Sequence, residues 1–276
     1  MQTLRAWERR YGFPKPARRA DSNRRLYSGD DVVRLVAIQR ALAAGYRVGD
    51  VIDKSLADLR ELASSLPLAE ATGLVDELLA ALEQDDVGRV EALLRSAAGS
   101  LGHRRFVTEV AQPFAVAVGA GWAGGRFSVR HEHVATECLV TQLRQLLAGY
   151  QDVVARPLVL LATLPGEVHT LPLQMVALYL LVLGAKPRLL GGDTPAADLF
   201  DMAMALRVDA VGITVTETCN LIETRKAVAW LRKKLPARVP IWLGGAGASK
   251  LRFDDERTRV VGSWEAIERC VSLVRA

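Results

Sequence analysis

From Pro157 to the end of the chain, apolar runs of strand length alternate with helical stretches, and this alternation limits the fold more than any other feature. The run PLVLLATL is apolar almost without interruption, so a strand built from it has no polar face to offer water. A glycine-containing turn and a helical stretch at Leu171–Leu183 follow, then PRLLGG, a helix at Ala196–Leu206 and DAVGITVT. A basic-flanked helix at Leu221–Lys234 leads into VPIWLGGAG, and a short strand and helix finish the chain. Strands apolar on both faces and separated by helices predict a doubly wound parallel sheet with helices on each side. Ligands on such sheets bind beyond the carboxyl ends of the strands.

The rest of the 276 residues has a different texture. Residues 53–150 hold no convincing strand. Leu74, Leu78, Leu79 and Leu82, then Val90, Leu93 and Leu94, then Phe106, Val110, Phe114 and Val118 recur at helical spacing and predict a helical bundle. Residues 1–52 are basic and punctuated by Gly12, Pro14 and Pro16, with an amphipathic helix expected from about Val32 to Ala44. Residues 1–60 carry 13 Lys/Arg and 7 Asp/Glu, a balance of +6, while the remainder carries 23 and 24, a balance of −1. A basic segment on a neutral body is the electrostatic footprint of a nucleic-acid-binding module. Cys138, Cys219 and Cys270 are widely spaced with no CxxC pairing, which argues against a zinc site or a disulfide framework. The basic start lacks the apolar core of a signal peptide, and the longest apolar run is broken by Pro172 and Gln174. A cytoplasmic protein with no membrane partner is expected.

Three strand-end loops carry candidate chemistry. The first is Leu164-Pro165-Gly166-Glu167-Val168-His169, where a carboxylate precedes an imidazole by two residues. A neutral imidazole ligates a transition metal through one nitrogen, and its other nitrogen needs a hydrogen-bond partner that Glu167 is near enough to supply. The second loop, after a strand at Ala210–Ile213, is Thr214-Val215-Thr216 and offers hydroxyls without bulk. The third is Gly244-Gly245-Ala246-Gly247, where missing side chains let a flat or elongated ligand lie against the backbone. In this order the three elements resemble the cobalamin-binding domain shared by corrinoid-dependent methionine synthase, mutases and regulators, over about 120 residues. That resemblance implies a displaced dimethylbenzimidazole tail, His169 as lower ligand to cobalt, and a tail channel lined by Thr214, Thr216, Gly244 and Gly245. Pro172 stands where that family usually has glycine.

The helical segment contains Gly121-Trp122, then nine residues, then Glu132-His133. An apolar plate beside a carboxylate and an imidazole suits a ligand with an apolar face and a sugar edge. The pattern resembles the helical cap of the CarH/LitR photoreceptor regulators. The resemblance implies that Trp122, Glu132 and His133 enclose the adenosyl group of adenosylcobalamin, with methylcobalamin or hydroxocobalamin as other forms. It further implies that light breaks the cobalt–carbon bond, dismantles a tetramer and releases double-stranded DNA; a homodimer or homotetramer is the expected assembly. Ala123 follows Trp122 where the best-known members have a histidine that takes the vacated cobalt site, which leaves His131 and His133 as alternative donors.

At the start, LRAWERRYGFPKPARRADSNRRLY resembles the DNA-binding domain of MerR-type regulators. By that resemblance a helix carrying Arg5, Trp7, Arg9 and Arg10 enters the major groove. A wing with Arg18, Arg19, Arg24, Arg25 and Tyr27 reaches the backbone. The family's first helix, which braces the recognition helix through Leu4 and Trp7, has no counterpart ahead of Met1. The expected organisation is therefore a partial winged helix-turn-helix at 1–52, a helical bundle cap at 53–150 and a Rossmann-like cobalamin-binding domain at 155–276. No GxSxG, P-loop or paired acid/base carboxylates mark an enzyme. The expected function is a light-responsive, cobalamin-binding transcriptional regulator. A corrinoid methyl carrier and a tetrapyrrole or cobalamin sensor acting on a protein partner are the alternatives.

Overall fold

The computed structural model describes residues 2–18, 25–43, 48–59, 68–150 and 155–275. It divides into two units, Met1–Cys138 and Leu139–Ala276. The first opens with helix α1 (Gln2–Tyr11) and a short antiparallel hairpin, β1 (Ala17–Arg18) and β2 (Arg25–Leu26), in which Arg18 faces Arg25. Helix α2 (Gly29–Ala43) starts three residues earlier than its apolar periodicity predicts. The reason is a reciprocal cap. Asp31 N–H donates to Ser28 Oγ at 3.0 Å, and Ser28 N–H donates to the Asp31 carboxylate at 3.0 Å. Helix α3 (Val48–Val51) follows. Ile38, Ala41, Val51, Ile52 and Leu59 form a buried core with Trp7, Tyr11 and Phe13 packed on it. The module thus reaches past the expected boundary at 52, because Leu59 fills that core.

Four helices follow in the described residues of the bundle: α4 (Leu68–Glu83), α5 (Val87–Arg105), α6 (Gln112–Ala123) and α7 (Val129–Ala148). Asp86 caps α5 by accepting from Arg89 N–H at 3.0 Å. Gly102 (φ 70°) kinks the end of α5, and a π-helical stretch, Phe106–Ala111, joins it to α6. Leu78, Leu82, Val90, Leu94, Phe106, Val110 and Phe114, which share the predicted helical spacing, are fully buried. The second unit begins inside α7, and the end of that helix contributes Leu147 to its core.

The second unit alternates β3 (Leu158–Thr163), α8 (Leu171–Val182), β4 (Lys186–Gly191), α9 (Ala196–Leu206), β5 (Ala210–Thr214), α10 (Leu221–Lys234), β6 (Ile241–Gly244), β7 (Thr258–Val261) and α11 (Trp264–Arg275). All the strand pairs are parallel, in the order β4-β3-β5-β6-β7. The apolar runs are apolar because both faces are covered. Leu160, Val211, Ile213, Ile241 and Leu243 pack with Leu199, Ala203, Val228 and Leu231 of α9 and α10. Val159, Leu161, Ala210 and Trp242 pack with Leu173, Ala177, Tyr179, Ile267 and Val271 of α8 and α11. In this strand order the chain reverses its winding between β3 and β5, so a crevice opens at their carboxyl ends. No helix of the described residues is long and apolar enough to cross a membrane.

Candidate functional site

The crevice holds His169. Glu167, almost fully buried while the His169 ring is half exposed, reaches back along the loop between β3 and α8. Its Oε1 lies 2.5 Å from His169 Nδ1 and accepts from His169 N–H at 2.8 Å. Its Oε2 accepts from Thr216 Oγ1 and, at 3.0 Å, from Cys219 Sγ. Burial pushes the Glu167 carboxyl up, but the donors Cys219, Thr216 and His169 outweigh it and hold the group at about 2. Because that carboxylate is ionised, the proton of a neutral His169 sits on Nδ1 and the lone pair on Nε2. Nε2 is therefore the nitrogen left for a metal.

The loop itself is pinned from the neighbouring strands. Thr163 Oγ1 donates to the Glu167 carbonyl, and Asp193 N–H donates to the same carbonyl at 2.8 Å. Asp193, held at φ 51°, accepts in turn from Gly166 N–H at 2.8 Å. Thr163, Asp193 and Cys219 are functional neighbours that spacing alone did not single out. The signal for Cys219 is topological, since it follows β5 and β5 lies beside β3.

Two expectations for the other loops need correction. Thr214 is not a loop residue; β5 runs through it, and it stands opposite Thr163 on one side and Gly244 on the other. The space left by the missing side chains at Gly245 and Gly247 is taken up by the loop after β5. A Cβ on Gly245 would lie 2.4 Å from the Val215 carbonyl oxygen, and one on Gly247 would lie 2.2 Å from that of Thr216. The glycines let the loops after β5 and β6 touch, with Val215 N–H donating to Gly244 O and Gly247 N–H to Val215 O. At Gly244 a Cβ would make only ordinary contact, 3.7 Å from the Val261 carbonyl oxygen.

In the helical unit, Trp122 is half exposed one residue before the end of α6, and Glu132 and His133 lie in the first turns of α7. Glu132 Oε1 accepts from Thr136 Oγ1 at 3.0 Å, and its Oε2 lies 3.5 Å from His133 Nε2. Gly121 is required by packing, because a Cβ there would sit 2.3 Å from the Phe127 ring. The two histidine candidates separate. His131 is buried, its Nδ1 accepts from Ser128 N–H at 3.1 Å and its Nε2 lies 3.2 Å from Asp85 Oδ1, so it braces the turn before α7. His133 is exposed.

The basic unit sorts its residues likewise. Arg9 and Arg10 are exposed on α1, which also carries Arg5; Arg18 lies on β1; Arg19 and Arg24 lie outside the described residues. Trp7 is half buried and packs against the core. Arg25 Nε and Tyr27 Oη donate to the Glu8 carboxylate at 3.0 and 3.2 Å, so both tie the hairpin to α1. We expect Trp7→Ala to destabilise this unit by about 2–3 kcal/mol in urea unfolding, somewhat less than for a fully buried aromatic.

Comparison with known proteins agrees with this geometry. Residues 157–265 match the B12 binding domain family, and residues 1–57 match the MerR HTH family of regulatory proteins. The chain is 30% identical over 275 residues to the HTH-type transcriptional repressor CarH of Myxococcus xanthus, covering 94% of this chain and 89% of CarH. It is also 30% identical to CarA of the same organism, covering 89% and 82%. Among solved structures, a monomethylamine corrinoid protein of Methanosarcina barkeri shares the fold, with a TM-score of 0.57 at 16% identity, over 73% of this chain and 99% of that one. A braced single imidazole at the switch point of a parallel sheet, joined to a MerR-type reader, defines a cobalamin-binding transcription regulator. The chain belongs to the CarH/CarA family of helix-turn-helix transcriptional regulators. The donor set fits the cofactor. No group of three or more His, Cys, Asp or Glu side chains that could hold a metal gathers among the described residues. His169 would supply a single donor nitrogen, which suits a metal whose other ligands come with its cofactor.

Proposed function

We propose that the chain is a repressor whose assembly and DNA binding are set by adenosylcobalamin and light. One observation carries the reading: Glu167 holds His169 with Nε2 left free, at the end of a sheet on the same chain as a MerR-type reader. In this reading His169 is the lower ligand, Glu167 and Thr216 orient it, and Thr214 and Gly244 line the tail channel. Trp122, Glu132 and His133 are assigned to the adenosyl group. Trp122 supplies an exposed apolar plate, and Glu132 is already oriented by Thr136. Bound adenosylcobalamin supplies a light-sensitive cobalt–carbon bond. With Ala123 after Trp122 and His131 committed to its turn, His133 is the histidine of this segment free to respond when the upper face opens. The role is regulatory rather than catalytic, and the working form is a homodimer or homotetramer on double-stranded DNA.

The test is reconstitution with adenosylcobalamin in the dark, then green light, following the absorption spectrum, the size and the retardation of operator DNA together. We expect retention of the cofactor, and light-dependent changes in spectrum, size and DNA binding. Failure to retain any cobalamin would sink the reading, and retention without a light response would reduce it to a cobalamin sensor. On the DNA side, Arg9→Ala and Arg10→Ala should weaken binding uniformly across sequences. Each should lower the salt slope by about 1, as expected for a lost phosphate contact. An unchanged slope in both would remove α1 from the interface.

A further inference from the structure

At the amino ends of β5 and β6, the end of the sheet opposite His169, a recess of about 340 Å³ lies between the carboxyl ends of α9 and α10. Its floor is apolar and fixed, because Ala203, Val208, Leu235 and Val239 belong to the buried core of that face. Met204 stands exposed at its edge, and two cations, Arg207 and Arg238, complete the lining. An apolar floor with a few charged groups at its rim is the usual composition of a small-molecule site, and the volume is at the lower end for one.

Helix carboxyl ends ordinarily repel anions, because their last carbonyls point outward. Here those carbonyls are occupied. Val208 N–H donates to Ala203 O and Arg207 N–H to Met204 O, which closes α9. Arg232, largely buried, donates to the carbonyls of Leu235, Pro236 and Val239 and so fixes the wall between α10 and β6. The carboxylates nearby are committed too. Asp209 accepts from Arg156 and from Leu158 N–H at 2.7 Å each, and Asp255 faces Arg232 and Arg257. By contrast, neither the Arg207 nor the Arg238 side chain has a partner among the described residues. Arg207 also stands at φ 51°, where glycine is unstrained and an arginine is not. Capping the helix does not need that side chain.

We propose that this recess is a second ligand site, for a monocarboxylate carrying a short unbranched apolar chain. The chain lies on the floor formed by Ala203, Val208, Leu235 and Val239, and the carboxylate meets the Arg207 and Arg238 guanidiniums. A wholly polar anion would leave the floor unused, and an uncharged apolar molecule would leave both cations unpaired. The site uses none of the residues assigned to cobalamin and stands apart from that reading.

The experiment titrates the full chain with hexanoate while following the methyl resonances of Met204, Val208 and Val239 by NMR. Hexanol, with the same chain and no charge, and acetate, with the charge and no chain, are the controls. The expected result is saturation of those three methyls with a dissociation constant of about 1 mM or below, and binding about tenfold or more weaker for either control. Arg207→Gly and Arg238→Gln should each lower hexanoate affinity about tenfold or more, as for a lost charged hydrogen bond. Arg207→Gly removes a strained side chain, so its urea midpoint should not fall, and its weakened binding is then not unfolding. No saturation by about 10 mM, hexanol binding as tightly as hexanoate, or unchanged affinity in both variants overturns the proposal. So does a response of these methyls to protein concentration but not to hexanoate, which would make the recess a contact between copies of the chain.

Discussion

Replacing His169 with alanine should abolish histidine ligation of bound cobalamin, with little loss of fold. The ring is half exposed, and Glu167 keeps its Thr216 and Cys219 donors when the imidazole is gone. The substitution therefore removes the metal donor without leaving a buried carboxylate unpaired, which is the outcome that would otherwise cost several kcal/mol. The spectrum of bound hydroxocobalamin should lose its histidine-ligated form, and affinity should fall by more than the roughly 10–100-fold usual for a lost outer-shell partner. Added free imidazole should restore the ligated spectrum. The same spectrum in wild type and His169→Ala would remove the ligand assignment, whatever the affinity. Glu167→Gln is the companion variant: a neutral amide holds the His169 Nδ1–H less firmly than the carboxylate, so ligation should weaken rather than vanish.

What the sequence discloses about this site follows chain proximity. Glu167 and His169 are two residues apart, and their pairing is readable before any fold is known. The contacts of Glu167 with Thr216 and Cys219 are not, because they arise only when β5 lies beside β3. The α/β texture was legible because a sheet covered on both faces needs uninterrupted apolar runs, and α9 and α10 match the expected Ala196–Leu206 and Leu221–Lys234. Roles within the basic segment were less legible. Trp7, Arg25 and Tyr27 share the composition of a DNA-reading surface, yet Trp7 packs against the core and the other two donate to Glu8. Composition reports how much charge and ring area a segment has, and only the fold reports which of it faces outward.

The glycine turn makes the same distinction measurable. Gly245 sits at φ 96°, where an L side chain is strained, and its Cβ would meet the Val215 carbonyl at 2.4 Å. Gly245→Ala is therefore expected to destabilise the sheet-bearing unit by roughly 3 kcal/mol or more, a strained backbone and an overpacked contact together. Gly247→Ala, whose Cβ would lie 2.2 Å from the Thr216 carbonyl oxygen, should behave similarly, because the clash is with backbone and not with the end of a flexible side chain. Gly244→Ala should cost under about 1 kcal/mol in the same urea unfolding experiment, within the range of sites with room. If Gly244 borders the tail channel, that variant should instead weaken cobalamin while sparing cobinamide, which has the same corrin and cobalt but no nucleotide. The two neighbours would then separate fold from ligand: Gly245 fails in unfolding, Gly244 in binding. A Gly245→Ala chain as stable as wild type would mean that the loops after β5 and β6 do not meet as described, and the position assigned to Thr216 beside Glu167 would fall with them.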